Sequence, residues 1–201
     1  MAATAAAIAA RAEFRVFGQD IIAIVSERMW DAGAVLQKAR RMPPETYFVS
    51  RRASGVNVKV RDGLLDIKLR TGETVEGYEI FQPSGKFKFP VAAQELTAVL
   101  GHLQVQMPVA GDPITFEAFT ASARVHPDLA VVNVEKMRYG FTVNGVICEY
   151  ARVWLNGALI ETACCESENT ADITGAAQAL GIAGLPNTSY ITAARRITGM
   201  I

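Results

Sequence analysis

Two Asn-Gly pairs, Asn144-Gly145 and Asn156-Gly157, constrain this chain more than any other feature of it. Both residues of such a pair tolerate the positive φ of a two-residue type I′ turn, whose twist matches that of the strands it joins. The flanking stretches, Ala130 to Val143, Val146 to Leu155 and Ala158 to Glu168, read as strands. The spacing therefore predicts three consecutive antiparallel strands, and the topology there is nearly forced.

An earlier meander carries the same signals. Tyr47-Phe48-Val49 reads as a strand, Ser54-Gly55 as a turn, Val56 to Arg61 as a strict alternation, Asp62-Gly63 as a tight hairpin and Leu64 to Arg70 as its return. After Thr71-Gly72, Val75 to Gln82 supplies a further strand, as do Ala12 to Phe17 near the start and Ile114 to Val125 later. Helical spacing is expected over Asp20 to Arg41, capped by Asp20, broken at Gly33 and stopped by Pro43-Pro44. Further helices are expected over Val91 to Leu103, Thr170 to Leu180 and Asn187 to Met200. The sum is an α+β fold of eight or nine strands with helices outside.

The 201 residues contain no Pro/Gly/Ser-rich linker or charge block. One domain over residues 11–201 is expected, after a loose Ala-rich N-terminus at 1–10 that lacks the basic region of a secretory leader. Lys+Arg and Asp+Glu both number 20, so no global field favours nucleic acid or an anionic membrane. No apolar run approaches the ~20 residues of a spanning helix. Cys148, Cys164 and Cys165 form an odd set without C-x-x-C spacing, which reads as buried reduced thiols in a cytoplasmic protein. His102 and His126 have no partner at ligand spacing, so zinc is not expected.

Charge placement bears on function. Lys59 and Arg61 share one face of their strand, as do Lys68 with Arg70 and Lys136 with Arg138. Like charges facing one another across a sheet are unfavourable by a few tenths to ~1 kcal/mol each, and a bound polyanion would offset that. Glu13 lies two before Arg15, and Glu166 with Glu168 falls at i, i+2 on the last strand. Paired carboxylates suit a hard cation such as Mg²⁺ or Mn²⁺. From alternation alone two architectures stay open: a closed barrel lined with charge around a ligand, or an ordinary sheet with one charged, solvated face.

The run Ala12 to Phe17, followed by Val56 to Gly63 and Asp66-Ile67-Lys68, resembles the front half of a CYTH domain, also called a triphosphate tunnel metalloenzyme. Val134 to Arg138, Glu149-Tyr150-Ala151 and Thr162 to Glu168 resemble its back half. The resemblance implies a closed eight-stranded antiparallel β-barrel, a tunnel, with helices packed outside. It implies metal-dependent hydrolysis of inorganic tripolyphosphate or an organic triphosphate, or ATP cyclisation as in one bacterial branch. By that resemblance Glu13, Glu166 and Glu168 would hold Mg²⁺ or Mn²⁺, and Arg15, Lys59, Arg61, Lys68, Arg70, Lys136 and Arg138 would grip phosphate oxygens. Glu149 is a candidate for orienting water or a second metal, and equally for a surface pair with Arg152. The expected partner is a small-molecule polyphosphate or nucleotide, with no nucleic acid and no membrane; a homodimer is allowed. One departure stands out: the family's Glu-x-Glu-x-Lys is here Arg11-Ala12-Glu13-Phe14-Arg15. Arg11 replaces a carboxylate by a cation, which fits weakened or displaced metal, or a protein that binds polyphosphate without hydrolysing it.

Overall fold

A computed structural model of the chain describes residues 11–108 and 110–201. The expected loose segment 1–10 lies outside them. The first alternation becomes β1 (Ala12–Gly18), and α1 (Ile21–Arg28) follows, burying Ile21 and Val25. Here the structure corrects the long helix expected over Asp20 to Arg41. The helix stops at Arg28, Gly33 takes a φ of 68°, and Val35–Arg41 forms β2. All residues of β2 are exposed, so no apolar period marks it as a strand. Asp20, at φ 60°, makes no side-chain cap.

The meander follows as β3 (Glu45–Ser50), β4 (Val56–Arg61), β5 (Leu64–Glu73) and β6 (Glu79–Lys88). Asp62 and Gly63 turn between β4 and β5 at φ 52° and 71°, as a tight hairpin requires. The last strand of this meander starts later than expected: Val75 stands in the preceding turn, 99% exposed. Next comes α2 (Ala93–Leu103), then α3 (Phe116–Val125) where a strand was expected from Ile114. The Thr115 hydroxyl accepts from the Ala118 N–H at 3.2 Å, a helix N-cap. Phe119 and Ala123, spaced i, i+4, supply the buried face.

The Asn-Gly pairs form their hairpins between β7 (Leu129–Val143), β8 (Val146–Leu155) and β9 (Ala158–Ser167). Strand order runs β7-β3-β4-β5-β6-β1-β9-β8 and returns to β7, closing an eight-stranded antiparallel barrel. The ninth strand, β2, lies along β7 at Met137 to Thr142, beyond the stretch Leu129 to Val134 that pairs with β3. Closure thus settles the choice left open by alternation, in favour of a tunnel.

Outward residues meet the helices. Val58, Ile67 and Phe48 pack under α2 and α3; Phe14, Val16, Cys148 and Cys165 pack under α1 and α4 (Thr170–Ala179). The third apolar cluster lies on the inward register: Tyr47, Val49, Val132, Val134, Ala151 and Val153 surround Ile191 and Ala194 of α5 (Tyr190–Ile197). One end of the tunnel is therefore filled by apolar side chains and α5. Asn187, just before that helix, accepts from the Arg15 N–H at 2.9 Å and donates to the Gly77 carbonyl at 2.7 Å. The Thr188 N–H donates to the Arg15 carbonyl at 2.6 Å. No helix among the described residues is long and apolar enough to cross a membrane.

Candidate functional site

Above the apolar end, the same inward register turns charged. On β7 it passes from Val132 and Val134 to Lys136 and Arg138, and on β8 from Val153 and Ala151 to Glu149. The space between is a cavity of about 180 Å³ lined by Glu13, Arg15, Lys59, Lys68, Lys136, Arg138 and Glu149, together with Tyr47, Asn57, Phe81 and Tyr190. A larger cavity of about 460 Å³ lies outside the wall against Phe89 and Phe116. It gathers far less charge, so the inner cavity is the candidate site.

Glu45 organises its basic side. This carboxylate is 3% exposed and accepts from Lys136 Nζ at 2.5 Å, Lys59 Nζ at 3.0 Å and Arg61 Nη1 at 3.3 Å. Burial pushes its carboxyl up, but Lys136 and Lys59 outweigh burial and hold it at about 2. The Lys136 ammonium goes the other way: burial pushes it down, Glu45 recovers only part, and it rests at about 8. Lys136 also donates to the Tyr47 hydroxyl at 2.9 Å and lies 4.0 Å from the centre of the Tyr190 ring, a cation–π distance.

Glu149 resolves toward the tunnel. It is 5% exposed, accepts from Arg138 Nε, and has Arg15 Nη1 at 3.6 Å. Arg152 pairs instead with Glu161 at 3.9 Å.

Arg15 is the hub of the acidic side. Its Nε donates to Glu13 Oε1 at 2.5 Å, its Nη2 to Cys164 Sγ at 2.9 Å, and its guanidinium sits 4.7 Å from the centre of the Tyr190 ring. Glu13, Cys164 and Glu166 bring one ligand atom each to within 4.8 Å of one another. Burial pushes Glu13 up, yet the ion pair and hydrogen bond with Arg15 hold it below the usual carboxylate range. For Glu166, burial and the Glu13 charge outweigh the Arg15 charge and push it up to about 7. Burial also raises the Cys164 thiol well above its ordinary value, so it offers a neutral sulfur. Two carboxylates with room for waters and phosphate oxygens fit Mg²⁺ or Mn²⁺; the neutral sulfur adds little for so hard an ion.

Three expected residues, Arg61, Glu168 and Arg70, stand apart; Arg61 reaches Glu45 but lines the cavity outside the wall and not the inner one. Glu168 falls one position beyond β9, exposed and away from this cluster. Arg70 turns to Glu79 at 3.1 Å and Glu73 at 3.8 Å. Arg11 is exposed, immediately before β1. Conversely, sequence reasoning missed Glu45, Tyr47, Asn57, Cys164 and Tyr190. The alternation Glu45-x-Tyr47-x-Val49, opposite Arg61 and Lys59 in register, is the signal that could have found the first two. Tyr190 Oη and Asn57 Oδ1 are buried without a hydrogen-bond partner, beside a cavity of cations.

No protein-family profile matches the chain, and no curated protein matches it. Among solved structures it is similar to the PH1012 protein of Pyrococcus horikoshii, with 18% identity and a TM-score of 0.51 over 89% of this chain and 97% of that one. A second is the Hippeastrum protein HpAC1, described as a provisional adenylyl cyclase with a dominant triphosphatase activity, at 14% identity and a TM-score of 0.49, covering 94% and 96%. A third, a provisionally assigned adenylate cyclase of Bacillus halodurans, has 10% identity and a TM-score of 0.48, covering 92% and 98%. The likeness to the Pyrococcus protein extends the barrel over nearly the whole of both chains. The fold is a closed eight-stranded antiparallel barrel, as the CYTH resemblance of the sequence implies.

Proposed function

We propose that this protein binds a linear triphosphate, inorganic or organic, inside the tunnel and hydrolyses it with Mg²⁺ or Mn²⁺. One observation carries the reading: five cations, Arg15, Lys59, Lys68, Lys136 and Arg138, line one small inner cavity with two carboxylates, Glu13 and Glu166, beside them. The CYTH resemblance of the strands supports the same chemistry.

In this reading Lys59, Lys68 and Lys136 act as point charges on phosphate oxygens, while Arg15 and Arg138 offer planar forks. Tyr190 donates its free hydroxyl at the closed end. Glu149 acts as a positioning residue, because Arg138 and Arg15 already occupy its oxygens. A divalent ion held by Glu13 and Glu166 would neutralise charge on the phosphate oxygens. We also read the protein as cytoplasmic, in keeping with three buried, unpaired thiols.

A second reading has its own support. Arg15 already neutralises Glu13 at 2.5 Å, a cation where a metal would otherwise sit, which favours polyphosphate binding without hydrolysis. The deciding experiment measures phosphate release from tripolyphosphate, ATP and thiamine triphosphate with Mg²⁺ or Mn²⁺, with Glu13→Gln as control and cyclic AMP followed in parallel. Metal-dependent release that the control loses supports hydrolysis. Absence of release, with tripolyphosphate binding that survives EDTA, selects the second reading.

A further inference from the structure

The tunnel's mouth carries a second, smaller cavity of about 120 Å³, lined by Lys38, Arg40, Arg138, Gly140 and Glu149. Arg138 and Glu149 also line the inner cavity, so the two spaces adjoin through shared walls. Lys38 and Arg40 come from β2, the strand outside the eight-stranded closure. Register explains how they reach the tunnel's axis: Arg40 stands opposite Arg138, and Lys38 opposite Gly140. Directly opposed residues of paired strands share a face, so Lys38 and Arg40 continue the inward register of Arg138.

The charge there is unbalanced. Arg40 and Arg138 are like charges in direct cross-strand opposition, which a sheet ordinarily avoids. Arg138 has Glu149 as a partner. Among the described residues neither Lys38 nor Arg40 pairs with a carboxylate, whereas the neighbouring Arg41, on the other face, pairs with Glu135 at 3.3 Å. Space is kept open by Gly140, which lies between Lys38 on one side and Glu149 on the other. That glycine is not a backbone requirement: its φ lies outside the left-handed range, and an added Cβ would meet only the Lys38 carbonyl at 3.7 Å, an ordinary contact.

We propose that Lys38 and Arg40, with Arg138, form an outer anion subsite that takes the next phosphoryl group of a linear phosphate chain whose inner groups occupy the tunnel. The subsite makes the protein a reader of chain length: each inner phosphate is gripped by the tunnel, and the first one beyond it gains two further cations. The inference rests on the tunnel's being a polyphosphate site, and its test separates the two.

Affinities for pyrophosphate, tripolyphosphate and linear tetrapolyphosphate are measured by calorimetry in EDTA, with ATP beside tripolyphosphate to separate an inorganic chain from a nucleotide's phosphates. Three proteins are compared: wild type, Gly140→Val, which fills the cavity with a strand-favouring side chain, and the Lys38→Gln/Arg40→Gln double variant, which removes only the charge. The expected result is that both variants bind shorter chains within about twofold of wild type and lose about tenfold on chains long enough to reach the mouth. Equal weakening at every length overturns the subsite, since a general field would do that, and so does equal binding by all three proteins. A wild type that binds none of the chains overturns the tunnel reading and the subsite with it.

Discussion

Glu45 Oε2 accepts a 2.5 Å hydrogen bond from Lys136 Nζ across ninety-one residues of sequence. The pair ties the start of β3 to the middle of β7, and Lys59 and Arg61 of β4 converge on the same carboxylate. Removing that carboxylate strands three cations, two of them largely buried. Glu45→Ala is expected to cost about 3–5 kcal/mol of folding stability, measured by urea unfolding, because a buried charge left without its partner is penalised on that scale.

The same carboxylate sets an acid limb. Its folded value of about 2 lies below the ordinary 4.5, so the stability it contributes is complete above about pH 4.5 and is lost as pH falls toward 2. Thermal melts of Glu45→Gln over that range should be flatter than those of wild type. An unchanged acid limb would show that other carboxylates govern it.

Lys136 produces opposite trends in stability and affinity. Folded, it titrates near 8, against an ordinary 10.5; between those values the unfolded chain holds more protons, so stability contributed by this group rises with pH. Anion affinity should fall over the same window, by up to about tenfold per pH unit when one proton is taken up with the ligand. Tripolyphosphate titrations from pH 7 to 10 check this, and Lys136→Met should abolish both trends.

Glu13 and Glu166 crowd one another, and Arg15 holds the first ionised while relieving the second only in part. Glu166→Gln should therefore raise the melting temperature of the metal-free protein at pH 8 while abolishing any increment produced by Mn²⁺. A mutant that melts lower without metal, yet keeps the Mn²⁺ increment, would move the ion elsewhere.

Tyr190 offers a further contrast. Its hydroxyl is buried without a partner, and leaving such a group unpaired costs about 1–3 kcal/mol. Tyr190→Phe should fold at least as stably as wild type but bind tripolyphosphate about tenfold more weakly, since a hydrogen bond to a charged acceptor is lost. A less stable variant with unchanged affinity would assign the hydroxyl to the scaffold.

Much of the barrel was legible because turn chemistry is local: Asp62-Gly63 and the two Asn-Gly pairs adopt the positive φ their sequence demands. β2 was not legible, since a strand with every residue exposed leaves no apolar period to find. α3 was misread against its own composition, since Glu117, Ala118, Ala121, Ala123 and Arg124 favour a helix; these and the Thr115 cap were the better clues. Within the site, basic residues at i, i+2 announced a shared face, and Lys59, Lys68, Lys136 and Arg138 do meet in the cavity. Glu45 stayed hidden because its partners lie 14, 16 and 91 positions away. Glu168 shared its periodicity with Glu166, but the strand ends at Ser167 and the face ends with it.

The way Asn187 and Thr188 grip β1 bears on how the molecule comes into being. β1 is the first strand of the barrel; β6 meets it only at Ala12 and Glu13, whereas β9 pairs along all of it, Glu13 opposite Glu166, and the segment just ahead of α5 grips Arg15. Emerging from the ribosome, β1 must wait until some 170 further residues are made before these partners exist. Such distant pairings slow folding and leave an apolar strand unsatisfied meanwhile. Translation speed and chaperone supply should therefore govern the yield of active protein, and polyphosphate present during synthesis could act only after the last strands have joined the first.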